Sequence, residues 1–497
     1  MNLIQKFYHS FKKFSGNRAF CINGQDIPYA EFHEYINGAR ELLERKVTGK
    51  NNPVGIVCFE CIETYAAIFA TWFSGNYFIP INPKHPLERN MAMVGNTGAR
   101  YVFSTKEDVG EVVDANKIEL LNINGLKSTV DKEPDAGNEQ RMYVLTTSGS
   151  TGVPKYVPIS LGNVTAYCTA FMQVYPELRS DTSALQTHDH TTDAAFTSYL
   201  LPLLAGACIY TLPEGQFKFL SIARLMSDKR VNWVKLTPSV LTYLSPYIQR
   251  LDLKHILHFG FGGEALPLSL VQKWQAVFPN AEISNFYGPT EATMNSTFYK
   301  FKNLDNVRAL NGTIAIGKPF PGVECIIIDK GNNILGPGED GELCIAGKQI
   351  MSGYLNSGNN PFVFFKLNGG GKRFYRTGDI VQMDKDGYYY FTGRVDDQVK
   401  IEGYRVNLIE VENAVRNLIP DCKVVAVAHE KIQGLKRLYI FIEGFTGETG
   451  EVKQKLISQL PGQMVPEEVL AVPGFPFTSS GKVDRRKLEH DYLLSNY

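Results

Sequence analysis

The chain has 497 residues, 44% of them hydrophobic, which exceeds one ordinary core and suits a large α/β body with a smaller domain, or about three compact units. Lysine plus arginine balances aspartate plus glutamate at 51 each, so no global field draws nucleic acid or an anionic membrane, and any nucleotide is expected as a small ligand. The N-terminus lacks the apolar core of a signal peptide, and Tyr65 to Ile81 is interrupted by Ser74, Gly75 and Asn76, so the expectation is a cytoplasmic monomer without membrane insertion.

Residues 1 to about 140 alternate helix-like and strand-like segments, the pattern of an α/β layer structure. Ile27-Pro28-Tyr29-Ala30-Glu31-Phe32 opens an amphipathic helix running towards Leu43. Val54 to Val57 has a buried-strand pattern, Glu63 to Phe73 reads as a largely buried helix, and Tyr77 to Ile81 as a strand that Pro83 terminates. Cys58 and Cys61 form a lone Cys-x-x-Cys with no second pair, which favours small buried side chains over zinc. Asp131 to Gln140, charged and poor in apolar residues, is expected to be an exposed linker.

Behind the apolar Tyr143-Val144-Leu145 comes Thr146-Thr147-Ser148-Gly149-Ser150-Thr151-Gly152-Val153-Pro154-Lys155. Such a loop can converge backbone N–H groups, hydroxyl donors and an ammonium on one anion, and its glycines allow close approach. The P-loop of the common nucleotide hydrolases needs Gly-Lys followed by Ser or Thr at a helix start. Here Lys155 follows Pro154, Tyr156 to Ile159 reads as a second strand, and Ser160 with Asn163 reads as a helix cap, so the loop joins two strands. Taken alone it is equally a polar hairpin.

The alternation continues to about Lys300, with a strand at Ile256 to Phe259 entering Gly260-Phe261-Gly262-Gly263-Glu264 and a helix at Leu268 to Phe278. From Gly312 to Phe391 short strands and turn signals mark a small β-rich subdomain, and after Gly393-Arg394 the chain turns polar, then βαβ-like. Asn285-Phe286-Tyr287-Gly288-Pro289-Thr290-Glu291 supplies a ring for a base, a hydroxyl for a phosphate and a carboxylate for a divalent cation. Tyr375 to Asp379 ends in a carboxylate suited to two ribose hydroxyls, Gly393 to Lys400 follows, and Ser479 to Arg485 is a loop holding Lys482. Each alone has an ordinary reading as a turn, a cap or solvated surface.

In this order the motifs make the chain resemble the adenylate-forming superfamily, specifically the amino-acid adenylation domains of nonribosomal peptide synthetases and the stand-alone D-alanine:carrier-protein ligases. The resemblance implies a large N-terminal α/β domain with a β-rich subdomain, residues 1–395, and a small mobile α+β C-terminal domain, residues 396–497, with Asp396 as hinge. It implies that Thr147, Ser148, Gly149, Ser150, Thr151, Gly152 and Lys155 hold the β and γ phosphates of ATP. Tyr287 would stack on adenine beside Asn285, with Gly263, Glu264 and Gly288 also at the nucleotide. Asp379, with Arg394 close by, would bind the ribose, Thr290 the α-phosphate, Glu291 Mg²⁺, and Lys482 would bridge the substrate carboxylate and the α-phosphate. The implied reaction makes an acyl-adenylate and pyrophosphate, and a thiol then displaces AMP.

In the amino-acid-activating members an aspartate pairs with the substrate ammonium, and Asp193 in Thr191-Thr192-Asp193-Ala194-Ala195 aligns there, although a helix-start aspartate is the plain alternative. Ala194, Thr197, Lys235, Gly260, Gly262, Phe286, Met294 and Asn295 would line the pocket. If Lys235 points inward, a polar or acidic substrate side chain fits; if outward, a small one does as well. With no carrier segment after Leu488, a phosphopantetheinylated carrier protein is expected in trans. Tyr156 replaces a usual glycine, Glu402 a usual arginine or histidine, and Asn407 a usual glutamate, the last two on the face that meets the thiol donor. An acyl- or aryl-CoA ligase and a non-catalytic AMP sensor are the competing readings; Asp193 argues against the first, and Lys482, Glu291 and the hydroxyl loop against the second.

Overall fold

The computed structural model describes all residues except 115–116, 136, 138–139, 149–153, 214–216, 229, 356–360, 368–369, 397, 421, 433, 478–482 and 495–497. One large sheet orders Glu119–Asn122, Tyr101–Ser104, Pro53–Val57, Tyr77–Ile81, Arg141–Thr147 and Lys155–Ser160 side by side, parallel up to its last, antiparallel pair. The other has a parallel centre of Arg18–Ile22, Cys208–Thr211, Ser183–Gln186, Trp233–Leu236, His258–Gly262 and Glu282–Tyr287, with antiparallel strands at both edges.

Helix Ile62–Phe73 buries every side chain except Glu63, as a helix without a polar face must. Its residues share one core with Phe20 of one sheet and Phe78 of the other. The Trp72 indole donates to the Met142 carbonyl at 2.7 Å, and the Gln140 amide nitrogen donates to the carbonyls of Trp72 and Asn76 at 3.1 and 2.9 Å. The segment expected as an exposed linker therefore ends in the interior, because Gln140 satisfies two carbonyls at the end of that helix.

The hydroxyl-rich loop does join two antiparallel strands. Helix Leu161–Val174 starts directly after the second, with Ser160 and Asn163 exchanging side-chain and backbone hydrogen bonds at its first turn. Ile256 and Leu257 lie before their expected strand, since the parallel register begins at Trp233 opposite His258. The helix from Leu268 ends at Trp274, short of Phe278.

Five antiparallel strands, from Val323–Ile328 to Tyr389–Arg394, form a third sheet. Then come the hairpin Gln398–Ile401 and Tyr404–Asn407, helix Leu408–Leu418, and a three-stranded sheet of Val424–Ile432, Leu435–Glu443 and Glu468–Val472 with helix Thr449–Gln459. No helix among the described residues is long and apolar enough to cross a membrane. The carboxyl ends of the central parallel strands open together, where a doubly wound sheet leaves its crevice.

Candidate active site

A cavity of about 360 Å³ lies at those strand ends, walled by both large sheets and by the hairpin that follows Arg394. At one end Tyr287 closes the strand Glu282–Tyr287, and its hydroxyl donates to Asp379 Oδ2 at 2.6 Å. Burial first, then Asp379, push the phenol pKa upward, so the hydroxyl stays a donor. The other Asp379 oxygen pairs with Arg394, which also binds Asp396 through Nε at 2.7 Å and Gln398 through Nη2 at 2.9 Å. Asn285 shares a strand face with Tyr287 by the two-residue repeat. Its amide nitrogen donates to the Ala315 carbonyl at 2.9 Å, leaving Oδ1 buried without a partner among the described residues.

Gly288 follows because nothing larger fits: a Cβ there would lie 2.3 Å from the Met294 carbonyl oxygen. The next turn holds Thr290 and the buried Glu291, whose Oε1 accepts from the Tyr354 hydroxyl at 2.9 Å. Glu291 Oε2 faces Arg405 Nη1 at 3.4 Å. Of the hydroxyl loop, Thr147 keeps a buried hydroxyl oxygen without a partner among the described residues, and the Ser148 hydroxyl donates to the Arg405 carbonyl at 3.0 Å. Burial, followed by Arg405, lowers the pKa of Lys155, whose Nζ stands 5.1 Å from the centre of the Tyr354 ring. Gly149, Ser150, Thr151, Gly152 and Lys482 lie outside the described residues.

At the other end Asp193 begins the helix Asp193–Ala205 and accepts the Met294 N–H at 3.3 Å. That amide is aimed by two consecutive left-handed residues, Thr293 at φ 57° and Met294 at φ 71°, an uncommon conformation for side chains of this size. Desolvation raises the Asp193 carboxyl to about 6, against the opposing pull of Lys235, the Met294 N–H and Thr290. Lys235 points inward: its Nζ donates to Thr197 Oγ1 at 2.6 Å, and that hydroxyl donates to the Ala194 carbonyl at 2.8 Å. Gly262 and Phe286 complete this wall, with the Phe286 ring centre 5.3 Å from Nζ.

The hairpin after Arg394 enters the cavity through its turn, Glu402 at φ 50° and Gly403 at φ 84°, the left-handed pair a two-residue hairpin loop requires. The Gly403 N–H donates to Glu264 Oε1 at 2.8 Å while Ser239 N–H holds Oε2 at 2.9 Å, so Glu264 docks this hairpin. Tyr404 donates to Asp189 Oδ2 at 3.3 Å, and Arg89 meets Glu410 at 2.9 Å. A profile of the AMP-binding enzyme family matches residues 7–355. The chain belongs to the AMP-binding enzyme family.

This AMP-binding enzyme is 30% identical over 497 residues to bacitracin synthase 2 of Bacillus licheniformis, a match that takes in 98% of this chain but 18% of that protein's length. It is 28% identical over 490 residues to zwittermicin A synthase ZmaJ of Bacillus cereus, covering 95% of this chain and 91% of ZmaJ. Its fold matches the Vibrio cholerae adenylation domain AlmE, solved with glycyl-adenosine-5'-phosphate, at TM-score 0.87 and 23% identity over 99% of this chain and 97% of that one. It also matches holo-PA1221, which contains adenylation and PCP domains, at TM-score 0.86 and 23% identity over 99% of this chain and 84% of that one.

Three departures from the family pattern have structural counterparts in this AMP-binding enzyme. Tyr156 is buried, and its hydroxyl accepts from Asn96 at 2.8 Å. Glu402 pairs with Arg437 at 2.9 Å and accepts from Tyr243 at 3.1 Å, and Asn407 caps helix Leu408–Leu418 by accepting the Ile409 N–H. Sequence reasoning assigned no role to Lys400, Arg405 or Tyr354. Lys400 is half-buried with its Nζ 5.8 Å from the Tyr287 ring centre, and desolvation lowers its pKa. The clue lay in Lys400 and Arg405 flanking a Glu-Gly turn, since paired strands bring such residues together.

Proposed function

We propose that the chain activates an α-amino acid as its aminoacyl-adenylate with release of pyrophosphate, then passes the aminoacyl group to the phosphopantetheine thiol of a separate carrier protein. The observation that carries this is one cavity with a carboxylate at each end, Asp379 beside Tyr287 and Asp193 beside Thr290, set for a ribose and an ammonium. AlmE with its glycyl adenylate, the bacitracin synthase relative and the adenylation–PCP protein support the amino-acid and carrier parts of the reading.

In this reading Tyr287 gives adenine an aromatic face, and Asn285 Oδ1 is an acceptor for its amino group. Asp379, oriented by Arg394 and Tyr287, accepts the ribose hydroxyls. Glu291 offers a single buried carboxylate, and no cluster of three acidic, histidine or cysteine side chains occurs among the described residues. That fits Mg²⁺ held by one carboxylate and the phosphates themselves, and when bound the ion neutralises polyphosphate charge.

The chain's own part is positioning. Asp193 fixes the substrate ammonium, so the substrate carboxylate meets the α-phosphorus near Thr290. A carboxylate oxygen forms the new bond to phosphorus as the bond to pyrophosphate breaks, with Lys482 stabilising the charge that gathers there. In the second step the thiol sulfur bonds to the acyl carbon and AMP leaves with its bonding electrons. Amino-acid-dependent exchange of labelled pyrophosphate into ATP, across amino, aryl and fatty acids, tests the proposal. Exchange with fatty or aryl acids alone would replace it with a CoA-ligase reading, and none with any acid would leave a nucleotide sensor.

A further inference from the structure

Tyr354 lies in neither a strand nor a helix, yet backbone hydrogen bonds fix the segment that carries it. The Met351 N–H donates to the Glu291 carbonyl at 2.9 Å, and the Leu355 N–H donates to the Tyr156 carbonyl at 3.0 Å. One end of the segment is thus tied to Glu291 itself and the other to the residue after Lys155. Arg373 braces it further, donating to the Ser352 and Met351 carbonyls at 3.1 and 3.0 Å. An irregular segment held this way presents its side chain in a set place.

The side chain continues the bridge. Its hydroxyl donates to Glu291 Oε1 at 2.9 Å, and its ring centre lies 5.1 Å from Lys155 Nζ. One half-buried side chain therefore meets the carboxylate proposed for Mg²⁺ with its polar tip and the ammonium proposed for the phosphates with its ring. Burial, then the Glu291 charge, raise the phenol pKa, so the hydroxyl stays a donor. The ring suits Lys155 because an aromatic face attracts an ammonium without cancelling its charge, as a carboxylate in the same place would.

Glu291 has two oxygens to place. It is 1% exposed, and Oε2 faces Arg405, which lines the cavity. With Oε1 engaged by Tyr354 the carboxylate plane is set, and Oε2 is the oxygen left on the cavity side. Metal-binding carboxylates take their orientation from such hydrogen bonds. Packing alone would need only the ring.

We propose that Tyr354 is a positioning residue with two separable tasks: its hydroxyl orients Glu291 for Mg²⁺, and its ring steers the Lys155 ammonium towards the polyphosphate. This rests on the adenylation reading above and adds the residue that joins its metal and phosphate contacts.

The test is equilibrium titration of ATP on the full chain, in excess EDTA and at a series of Mg²⁺ concentrations, with pyrophosphate exchange measured alongside. The variants are Tyr354→Phe, Tyr354→Leu, Glu291→Gln and Tyr354→Phe combined with Glu291→Gln. Tyr354→Phe should raise about tenfold the Mg²⁺ concentration that half-saturates the metal-dependent gain in ATP affinity. Its metal-free ATP affinity should stay within about twofold of wild type, and in the Glu291→Gln background the Tyr354→Phe shift should vanish. Tyr354→Leu should show the same metal shift and bind metal-free ATP about threefold more weakly than Tyr354→Phe, the scale of one cation–π contact. An unchanged Mg²⁺ requirement in Tyr354→Phe, or a shift that persists in Glu291→Gln, overturns the hydroxyl's task. Equal metal-free affinities for Tyr354→Phe and Tyr354→Leu overturn the ring's task, and Tyr354→Met makes that comparison if Tyr354→Leu does not fold. A wild-type ATP affinity indifferent to Mg²⁺ overturns the metal role of Glu291 and this proposal with it. If the shifts hold and wild type exchanges pyrophosphate with no acid, the adenylation reading alone falls.

Discussion

Arg405 Nη1 stands 3.4 Å from Glu291 Oε2, so a guanidinium from the C-terminal hairpin occupies one oxygen of the carboxylate proposed to hold Mg²⁺. The second oxygen already accepts from Tyr354. Two cations cannot share one carboxylate oxygen without mutual repulsion, so binding of magnesium and docking of this hairpin should oppose each other.

Arg405→Ala should therefore lower the magnesium concentration that half-saturates pyrophosphate exchange. A half-buried pair of this length contributes about 1 kcal/mol, which corresponds to about fivefold. Titrating Mg²⁺ at fixed ATP measures it. An unchanged or higher requirement would mean that the two cations do not compete for Glu291.

Gly403 gives the converse experiment, because its left-handed φ of 84° is joined to a close approach in which a Cβ would lie 2.6 Å from Thr237 Cγ2. Gly403→Ala meets both backbone strain and a clash, and each disfavours the docked hairpin. We expect exchange within about twofold of wild type and thiol transfer slowed at least about tenfold, the rate equivalent of 1.4 kcal/mol. Single-turnover transfer to a phosphopantetheine thiol reads the second value. Equal slowing of both half-reactions would show that the docked hairpin also serves adenylation.

Much of this was legible in local pattern. The strand–loop–strand around residues 146–155, the Ser160 cap and the buried helix Ile62–Phe73 follow from periodicity and turn chemistry over a few residues. Lys235 was not, because alternation along a strand assigns opposite faces without saying which face meets a cavity. The pairing of Glu264 with Gly403 joins residues far apart in the chain, and nothing local to either one announces it. Gln140 escapes local pattern for a related reason: a polar side chain can be interior when it satisfies backbone carbonyls.

Lys482→Ala should leave ATP affinity nearly unchanged while slowing adenylation by several orders of magnitude, because the lysine is assigned to charge that appears in the transition state. Direct ATP titration and exchange kinetics separate the two effects. Parallel losses in affinity and rate would make Lys482 a ground-state phosphate contact.

Asp193 links substrate recognition to stability, and the sign can be worked out. Its carboxyl titrates at about 6 in the folded chain against an ordinary 3.8, chiefly through desolvation. Between those values the folded chain holds a proton that the unfolded chain has lost, so this group's contribution to stability falls as pH rises through that window. At neutral pH the buried charge costs on the order of 3 kcal/mol in the absence of substrate. Asp193→Asn should thus raise the thermal midpoint at pH 7 and erase the difference from wild type near pH 4. The same substitution removes the partner of the substrate ammonium, and activation should fall by about 3–5 kcal/mol, the cost of breaking a buried ion pair. In wild type, kcat/KM for the amino acid should drop about tenfold per pH unit below about 6 and level off above it, since that ratio reports the free enzyme's ionisation. A des-amino analogue should lack this dependence. Thermal scans at the two pH values and exchange efficiencies for the amino acid and its des-amino counterpart supply the measurements. Should the ratio of those efficiencies be the same in wild type and Asp193→Asn, Asp193 does not read the amine, and the carboxylic acid substrate lies among those without one.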